Sequence, residues 1–552
     1  MLTVSKYRSI LQYLILIFLL NFIISEDAEI NIIVNNDNIY DLNSFYIITK
    51  ITFTINENPN NYLFGIFEGS NDTSFSDSLP LTMITENEIK NVGSNDISIN
   101  IHNSYRYIRY IPYSTNGANI APIKMYGHSF SASEDLSGKE NYHPTNLPLL
   151  IINTENSVEP DSKEVYINSQ IILIDSNGEK KFNEKAGVRL RGHGTSQGAK
   201  KPYKIKFDKK QEIPGIDKKY KKWALLANYY DKSLIKNHLA FEVSRRIGFK
   251  YTPRYIFLDV IFNHNFRGNY YICDQVEVKE GRVEITEMEK TDNSYPNITG
   301  GYLLEFDQRV LLDGDLYFLT NKGLVGEIKY PDEDDITKEQ INYIRQYMNS
   351  FEKYTYIGDF RYFDLDSFYK YFIMQEFCGD VDIVISSFHI YKERNDDKLH
   401  FGPVWDYDLA FDNDARLFPT KDKNEFCYHF GSSAGALRDF ITKIIGTQNI
   451  MKNINSTWIE LQKDKLKLTE LKTYIDEETD KIKESANLNT LRWYGSLIGN
   501  GINDYKGNVQ IVINYLETRF EHLSYLINNY NYDSKIGKIN FATLFLVLIF
   551  LG

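Results

Sequence analysis

Two groups of polar residues have types and spacing suited to holding a phosphate group and a metal ion. The first is the loop 192–198, which is rich in glycine and polar residues and precedes a strand rich in lysine. Glycines let the backbone approach a phosphate closely, and amide and hydroxyl groups can donate hydrogen bonds to it. The candidate phosphate-binding residues are Gly192, Gly194, Thr195 and Ser196, with Lys200, Lys204 and Lys206 as candidate cations.

The lysine-rich strand has two different faces. Tyr203, Ile205 and Phe207 alternate with Lys204 and Lys206, so one face is apolar and the other is basic. A basic face beside a glycine loop suits a polyphosphate. The alternative is that these lysines lie on a solvated edge without a ligand.

The second group is acidic. Asp380 and Asp382 follow a predicted helix, and Asp406 and Asp408 follow a predicted hairpin, which can bring the two pairs together. Carboxylates suit Mg²⁺ or Mn²⁺, and these ions keep sites open for phosphate oxygens. One further carboxylate could accept a proton from a substrate hydroxyl. The alternative is that the four aspartates cap turns or are solvated.

Composition limits the class of protein. The chain has 552 residues, 42% of them hydrophobic and 25% charged, which is typical of a globular protein. Its formal charge of −12 argues against a general nucleic-acid-binding protein, because there is no global positive field to neutralise phosphates. The three cysteines, Cys273, Cys378 and Cys427, lack metal-site spacing and allow at most one disulfide.

The two ends of the chain predict passage through the secretory pathway. Residues 1–25 carry a basic start and a short apolar stretch, which is typical of a signal peptide. Residues 531–552 combine a polar spacer with a terminal apolar tail, which is typical of a GPI-anchor signal. We therefore expect an extracellular or cell-surface protein, attached to a membrane by this tail or by a lipid anchor. A buried or anchoring N-terminal helix and a packed C-terminal helix are the alternatives.

Three Asn-X-Ser/Thr sequences agree with this route. They begin at Asn71, Asn297 and Asn455, and each is a candidate glycosylation site. We expect a glycoprotein, although chance matches are common in a chain this rich in asparagine.

Residues 27–135 predict an all-β sandwich module, because short alternating segments recur between polar turns. The segments LFGIFEGSNDTSF (63–75) and YRYIRYIPYSTNGANIAPIKMYG (105–127) resemble a discoidin-like (F5/8 type C) module. This resemblance implies a glycan or cell-wall ligand, for which no binding residue can be named.

Residues 148–530 predict an α+β domain that is rich in strands first and rich in helices later. Strands are expected around 188–191, 200–207, 388–391 and 399–404. Helices are expected at 233–247, 337–352, 364–378, 457–485 and 507–528.

Several ordered segments of this domain resemble the CotH (spore coat protein H) kinase-like family. They are VRLRGHGTSQGAKKPYKIKF (188–207), KKWALLANYYDKSLIKNHLAFEVSRRIGF (221–249), GNYYICDQVEV (268–278), GGYLLEFD (300–307), IKYP (328–331) and GPVWDYDLAFDND (402–414). The resemblance implies an atypical protein-kinase-like bilobal domain, with a β-rich N-lobe and an α-rich C-lobe. It also implies transfer of the γ-phosphoryl group of ATP to Ser or Thr of a protein substrate, with Mg²⁺ or Mn²⁺.

The resemblance also assigns roles to single residues. Asp382 takes the position of the catalytic base, and Ser387, five residues later, takes a metal-ligand position. Asp406 takes the metal-binding position, and Asp408 is a candidate second ligand. Glu305 and Asp274 are both candidates for the acid that orients the phosphate-binding lysine.

Two departures from the family pattern keep a second function open. Ser387 replaces the usual Asn, and Asp412-Asn413 stand where the family usually has a glycine near Phe411. Both positions retain oxygen donors, so activity is not excluded. The alternative function is a non-catalytic pseudokinase that acts as a surface adhesin or glycan-binding scaffold. A carbohydrate-active enzyme fits less well, because these acids suit phosphate and metal chemistry better than a sugar cleft.

Overall fold

The chain forms two compact units in the computed structural model. Unit 1 comprises Met1–Arg189 and Phe257–Tyr270, and unit 2 comprises Leu190–Ile256 and Tyr271–Gly552. The predicted signal peptide and C-terminal tail, and most of residues 136–147 between the two predicted domains, lie outside the described residues. The described residues are 27–35, 39–75, 78–85, 88–89, 92–99, 103–112, 120, 122–129, 145–308, 310, 316–413, 425–429, 435–494 and 505–530.

The first part of unit 1 is all-β, as the sequence predicts. Its strands form one sheet with the order β1-β8-β3-β7-β4-β5, and β2 and β6 also pair with β3. This agrees with a sandwich, because β3 pairs with different neighbours along its length. The strands are β1 (Ala28–Glu29), β2 (Ile33–Asn35), β3 (Ile39–Ile55), β4 (Ile66–Ser70), β5 (Leu79–Met83), β6 (Gly93–Ser98), β7 (Tyr105–Ile111) and β8 (Ile123–Ser129).

Strand β3 organises this sheet. Its first residues pair with β7 and its last residues pair with β8 and β6, with register shifts between Asp41 and Tyr46 and between Ile48 and Lys50. Such irregularities bend a strand and increase its twist. Ile48, Ile51 and Phe53 are fully buried, so the second half of β3 anchors the core of the module.

The remaining strands of unit 1 contact this module, and residues 257–270 make the contacts. Glu68 is buried and forms ion pairs with Arg109 and with His264, whose Nδ1 lies 2.7 Å from the carboxylate. The Phe64 and Phe266 rings stack with centroids 5.7 Å apart. Strand β9 (Leu149–Thr154) pairs with β10 (Ile167–Ile174), which pairs with β11 (Lys180–Leu190), and β14 (Tyr255–Phe262) runs parallel to β9.

Unit 2 begins with a long hairpin that confirms the alternation in the sequence. Strand β12 (Tyr203–Ile213) pairs with β13 (Ile216–Leu226), and β13 pairs with the end of β15 (Asn265–Cys273) at Tyr271–Cys273. Tyr203, Ile205 and Phe207 are buried, whereas Lys204 is half-buried and Lys206 is exposed. The apolar face of β12 is therefore core.

A second sheet carries the centre of unit 2. Its strand order is β17-β18-β16-β19-β20. The strands are β16 (Tyr302–Phe306), β17 (Tyr317–Leu319), β18 (Val325–Tyr330), β19 (Phe388–Lys392) and β20 (His400–Phe401). The helices are α1 (Lys236–Ile247), α2 (Lys338–Tyr356), α3 (Leu365–Cys378), α4 (Gly435–Ile445), α5 (Ile450–Lys463), α6 (Leu468–Lys481), α7 (Lys483–Tyr494) and α8 (Tyr505–Asn528).

Two predictions of secondary structure are wrong in extent. The helix expected at 457–485 is divided among α5, α6 and α7, because the chain turns at 464–467 to bury Leu466 and turns again at Ile482. The strand expected at 399–404 is only the two residues of β20, because it is followed by Gly402, with φ of 117°, and by Pro403, which has no N–H to donate.

A buried charge network lies beside the end of β15 in unit 2. Asp274 is 3% exposed and accepts hydrogen bonds from Arg254 Nε and Arg282 Nε, each at 2.8 Å. Arg282 also donates to the carbonyl of Lys222 and stacks on the Tyr220 ring, 3.8 Å from its centroid. Asp274 is thus the shared counter-charge of two arginines.

We predict that Asp274→Ala destabilises unit 2 by about 3 kcal/mol, because the buried Arg282 would keep only Glu277 as a counter-charge and Arg254 would lose its buried partner. All four tryptophans, Trp223, Trp405, Trp458 and Trp493, lie in unit 2, so urea unfolding followed by tryptophan fluorescence measures this loss. The control is Asp217→Ala, which removes an 84% exposed partner of Arg254 and should cost about 0–1 kcal/mol. Equal losses in both variants would contradict the account.

Candidate functional site

Glu305 is the best-connected of the predicted site residues. It lies on β16 directly opposite His389 of β19, and its carboxylate accepts a hydrogen bond from the Ser387 N–H at 2.9 Å. Lys329 Nζ lies 3.3 Å and His389 Nε2 3.5 Å from Glu305 Oε2. Two predicted site residues, Glu305 and Ser387, are therefore in direct contact.

Lys329 reaches Glu305 because of a β-bulge. In the pairing of β16 with β18, Leu303 opposes Tyr330 and Leu304 opposes Ile328, which leaves Lys329 as the extra residue. A bulge redirects the side chain of the unpaired residue. Lys329 also contacts Glu327 at 2.8 Å, so one lysine bridges two carboxylates that face each other across the strands.

Glu305 and Lys329 each stabilise the charged form of the other. Burial would raise the pKa of Glu305, but Lys329 and His389 outweigh it and hold that pKa well below its ordinary value. Burial would likewise lower the pKa of Lys329, but Glu305 and Glu327 raise it above its ordinary value. Both groups are therefore ionised at neutral pH.

Asp380 and Asp382 lie where α3 ends. Gly379 closes the helix in the left-handed conformation, and a short 3₁₀ helix, Val381–Val384, follows. The Asp380 carboxylate caps this 3₁₀ helix by accepting a hydrogen bond from the Asp382 N–H at 3.0 Å. Asp380 is 4% exposed, whereas Asp382 is half-buried, so Asp382 is the more accessible of the two.

Asp406 and Asp408 lie in an irregular segment that follows β20. Asp406 is exposed and Asp408 is buried, and the Tyr407 N–H between them donates to the Asn237 side chain of α1 at 2.6 Å. The Phe411 N–H donates to the carbonyl of Cys378 at the end of α3. These hydrogen bonds tie the segment to α1 and α3, and so place it beside Asp380.

Four residues other than glycine have positive φ in the two segments that carry the aspartates. Ser387, Asp406, Phe411 and Asp412 have φ values of 62°, 69°, 51° and 66°. Positive φ is uncommon for residues other than glycine and clusters at functional sites, where the surrounding structure holds it. Phe411 and Asp412, near which the sequence lacks the expected glycine, therefore have a backbone conformation that glycine would adopt without strain.

The aspartates are close enough to repel each other. Burial raises the pKa of Asp380 well above its ordinary value, and the charges of Asp382, Asp406 and Asp408 raise it further. Burial also raises the pKa of Asp408, with added repulsion from Asp406, Asp231 and Asp382. The structure thus brings the two acidic pairs together, as the hairpin in the sequence predicts.

Asp231 and Lys236 were not singled out for chemistry from the sequence, in which Asp231 is only the residue before a helix. The Asp231 carboxylate accepts hydrogen bonds from the N–H groups of Ser233 and Lys236 at the start of α1, at 2.9 and 2.8 Å. Lys236 Nζ lies 3.6 Å from Asp231, and both side chains are buried. Lys236 also lowers the pKa of Asp412, which burial raises.

The glycine loop lies beside the segment that carries Asp406, because Arg191 lies over the Trp405 ring at 5.3 Å, and the Tyr230 hydroxyl donates to the carbonyl of Gly194 while the Tyr230 carbonyl accepts from Asn413. Gly192 has φ of 79°, the Ser196 hydroxyl donates to the carbonyl of His193, and Gly194 and Thr195 lie at the turn. Lys200 is 1% exposed and donates to Asn489 of α7 at 2.8 Å. Lys204 and Lys206 lie on β12. The lysine that contacts Glu305 is thus Lys329, and the cations that contact Asp274 are Arg254 and Arg282.

The sequence around Lys329 carries a signal of its role. It is the only lysine of β18, it precedes Tyr330-Pro331, and it belongs to one of the quoted family segments. A lysine in a partly buried strand needs a counter-charge, which Glu327 of the same strand and Glu305 of β16 supply.

Comparison with known proteins decides the family. The sequence model of the family described as CotH kinase protein matches residues 188–523. The chain belongs to the CotH kinase family. The match includes the glycine loop, Glu305, Lys329 and all four aspartates, so the site described above lies inside the CotH domain.

Other comparisons add little. No curated protein matches this chain. A solved structure, CBM62 from Clostridium thermocellum Xyl5A, is 26% identical over 16% of this chain and 67% of that chain, with a TM-score of 0.15. A likeness at this TM-score does not bear on the fold, so the discoidin-like character of the N-terminal module stays a prediction.

Three further features concern the described part of the chain. Its helices include none that is long and apolar enough to cross a membrane. Its His, Cys, Asp and Glu side chains form no group of three or more that could hold a metal by itself. Cys273, Cys378 and Cys427 are buried free thiols.

We predict that Glu305→Gln destabilises the CotH domain at pH 7 by roughly 2–3 kcal/mol, because Lys329 would lose one of its two carboxylates inside the sheet. The pKa of Glu305 is lowered in the folded state, so its contribution is complete above the unfolded-state value of about 4.3 and is lost as the pH falls further. Thermal unfolding of both proteins between pH 7 and pH 3.5 should show their melting temperatures converging at acidic pH.

The control is Glu327→Gln, which removes the other carboxylate that pairs with Lys329. The Glu327 side chain is 24% exposed. This substitution should cost less than about 1 kcal/mol. A difference between wild type and Glu305→Gln that stays constant or grows toward acidic pH would contradict the ion pair.

Proposed function

We propose that this CotH-family protein is an atypical kinase that transfers the γ-phosphoryl group of ATP to Ser or Thr hydroxyls of proteins. The observation that carries the proposal is the hydrogen bond from the Phe411 N–H to the carbonyl of Cys378 at 2.8 Å, which holds the segment of Asp406 and Asp408 against the end of α3, where Asp380 and Asp382 lie. Membership of a kinase family supports phosphoryl transfer in general, and the acceptor class is our inference.

The donor set fits a divalent cation. Mg²⁺ in phosphoryl-transfer sites takes only one or two carboxylates from the protein, and substrate phosphates and water complete its shell. The buried Asp408 and the exposed Asp406 offer such a pair, and their mutual repulsion is what a bound cation would relieve. Asp406, Asp408 and the Ser387 hydroxyl are the residues that would hold Mg²⁺ or Mn²⁺, which when bound neutralises charge on the phosphates.

The remaining residues position and activate the acceptor. Asp382 is the more accessible member of its pair and is the proposed group that orients the acceptor hydroxyl and accepts its proton. Lys329 and Lys236 are cations held by buried acids, Glu305 and Asp231. We propose that these two lysines hold the phosphates, together with donors of the loop 192–198.

The proposed location follows from the sequence. We propose secretion directed by residues 1–25, attachment through residues 531–552, and a glycan or cell-wall ligand for the N-terminal module.

We predict that Asp406→Asn lowers phosphoryl transfer from ATP by about 10²-fold or more, because phosphoryl transfer depends chiefly on positioning and electrostatic stabilisation. The measurement is incorporation of γ-labelled phosphate into the protein itself or into casein, with Mg²⁺ or Mn²⁺. The control is Asp335→Asn, which changes a 64% exposed aspartate paired with Lys290 and should leave the rate unchanged.

The unsubstituted protein decides between kinase and scaffold. A kinase should be stabilised against heat by ATP with Mn²⁺, and Asp406→Asn should reduce that shift while the variant keeps its circular dichroism spectrum. Wild-type protein that neither gains stability from ATP nor transfers label would support a non-catalytic surface scaffold instead.

We predict that Ser387→Asn raises the transfer rate severalfold and that Ser387→Ala lowers it, because an amide oxygen is the usual ligand at this position of the kinase template. The backbone favours the change, since Asn adopts positive φ more readily than Ser does. Initial rates against Mn²⁺ concentration measure the effect. Equal rates for the Asn and Ala variants would remove Ser387 from the metal site.

A further inference from the structure

A second pocket lies in unit 2, away from the aspartates. It encloses about 470 Å³ and is lined by side chains from α2 and from the loops around 295, 361 and 397. None of these residues belongs to the site described above. We call it the tyrosine pocket and define it by Tyr295, Tyr343, Tyr347, Tyr362, Arg361 and Asp397.

Aromatic rings form a continuous wall of this pocket. The Tyr343 ring packs edge-on against Tyr295 at 5.9 Å and stacks on Tyr347 at 6.3 Å. The Tyr347 ring packs edge-on against Tyr362 at 5.1 Å. Tyr343 and Tyr347 are four residues apart and therefore share one face of α2. Tyr295 is 75% exposed, so the wall ends in a large ring that the fold does not cover.

Polar groups border the rings. Arg361 is held by Asp359 at 2.8 Å and lies over the Tyr354 ring, which fixes the direction of its guanidinium. Gln346 and Ser350 also line the pocket, and within the described part of the chain their side chains make no hydrogen bond. The Tyr347 hydroxyl donates to the backbone carbonyl of Asp397 at 2.6 Å, which ties the wall of rings to the loop that carries the Asp397 carboxylate.

We propose that the tyrosine pocket binds a neutral carbohydrate chain. Sugar rings present C–H faces that pack on aromatic rings and hydroxyl edges that bond to donors and acceptors, and this pocket offers both. Its volume lies within the usual range of small-ligand sites, roughly 300–1,000 Å³.

Other ligand classes fit less well. A lipid or an apolar peptide would cover the exposed ion pair of Arg361 with Asp359 and the exposed Asp397 carboxylate without offering either a hydrogen bond, which is costly. An anionic ligand would meet the carboxylate of Asp397, and a cationic ligand would meet Arg361. A neutral ligand that both donates and accepts hydrogen bonds satisfies both charged groups together.

The test uses the full chain in affinity gel electrophoresis with soluble galactomannan, xyloglucan and laminarin as probes. We expect at least one of them to retard the protein. Tyr295→Ala and Arg361→Ala should each weaken that retardation by about tenfold, the scale of one lost aromatic or charged contact. Both side chains are exposed, so both variants should keep the wild-type melting temperature.

Two controls separate this site from others. Tyr525→Ala removes another exposed tyrosine, on α8, and Asp406→Asn alters the proposed kinase site. Both should bind the polysaccharide as wild type does. Retardation by none of the probes would overturn the proposal. Retardation that survives both pocket variants would also overturn it, because binding would then lie elsewhere. So would tight binding of poly-L-proline that the pocket variants abolish, because aromatic grooves also bind extended proline-rich peptides.

Discussion

The ion pair between Glu305 and Lys329 is the interaction on which the candidate site depends. The Glu305 carboxylate lies in the middle strand of the second sheet, where a bare charge would be very unfavourable, and it is balanced by Lys329 and His389. It also holds the N–H of Ser387. Ser387 stands between the 3₁₀ helix that carries Asp382 and strand β19. Glu305 thus links β16 to β18 through Lys329 and to β19 through His389, and it ties the residue that follows the Asp382 segment to this sheet.

The sequence predicts the parts of this fold that are periodic. Strand β19 lies within one residue of the predicted 388–391, and α1, α3 and α8 lie within a few residues of their predicted positions, because regular alternation or helical spacing marks each of them. Errors occur where a single residue overrides the period. Pro403 ends the strand after Phe401, and the buried Leu466 divides a predicted helix.

In the candidate site, too, some features could be predicted from the sequence and others could not. The meeting of the two acidic pairs could be predicted, because a short hairpin separates them in the sequence. The contact between Lys329 and Glu305 could not, since a β-bulge creates it and bulges leave no periodic signal. Asp231 and Lys236 were missed for a related reason: a residue that caps a helix and a residue that balances buried charge look alike in a sequence.

The central claim is that Asp406 and Asp408 hold the metal ion of a metal–ATP complex and that Asp382 faces the acceptor hydroxyl. Crystals grown with Mn²⁺ and a non-hydrolysable ATP analogue would test it directly, because Mn²⁺ gives an anomalous signal that locates the ion without reference to the protein. The account predicts a peak in contact with the Asp406 carboxylate and the phosphates of the analogue. A peak bound elsewhere, or analogue density away from these aspartates, would contradict it.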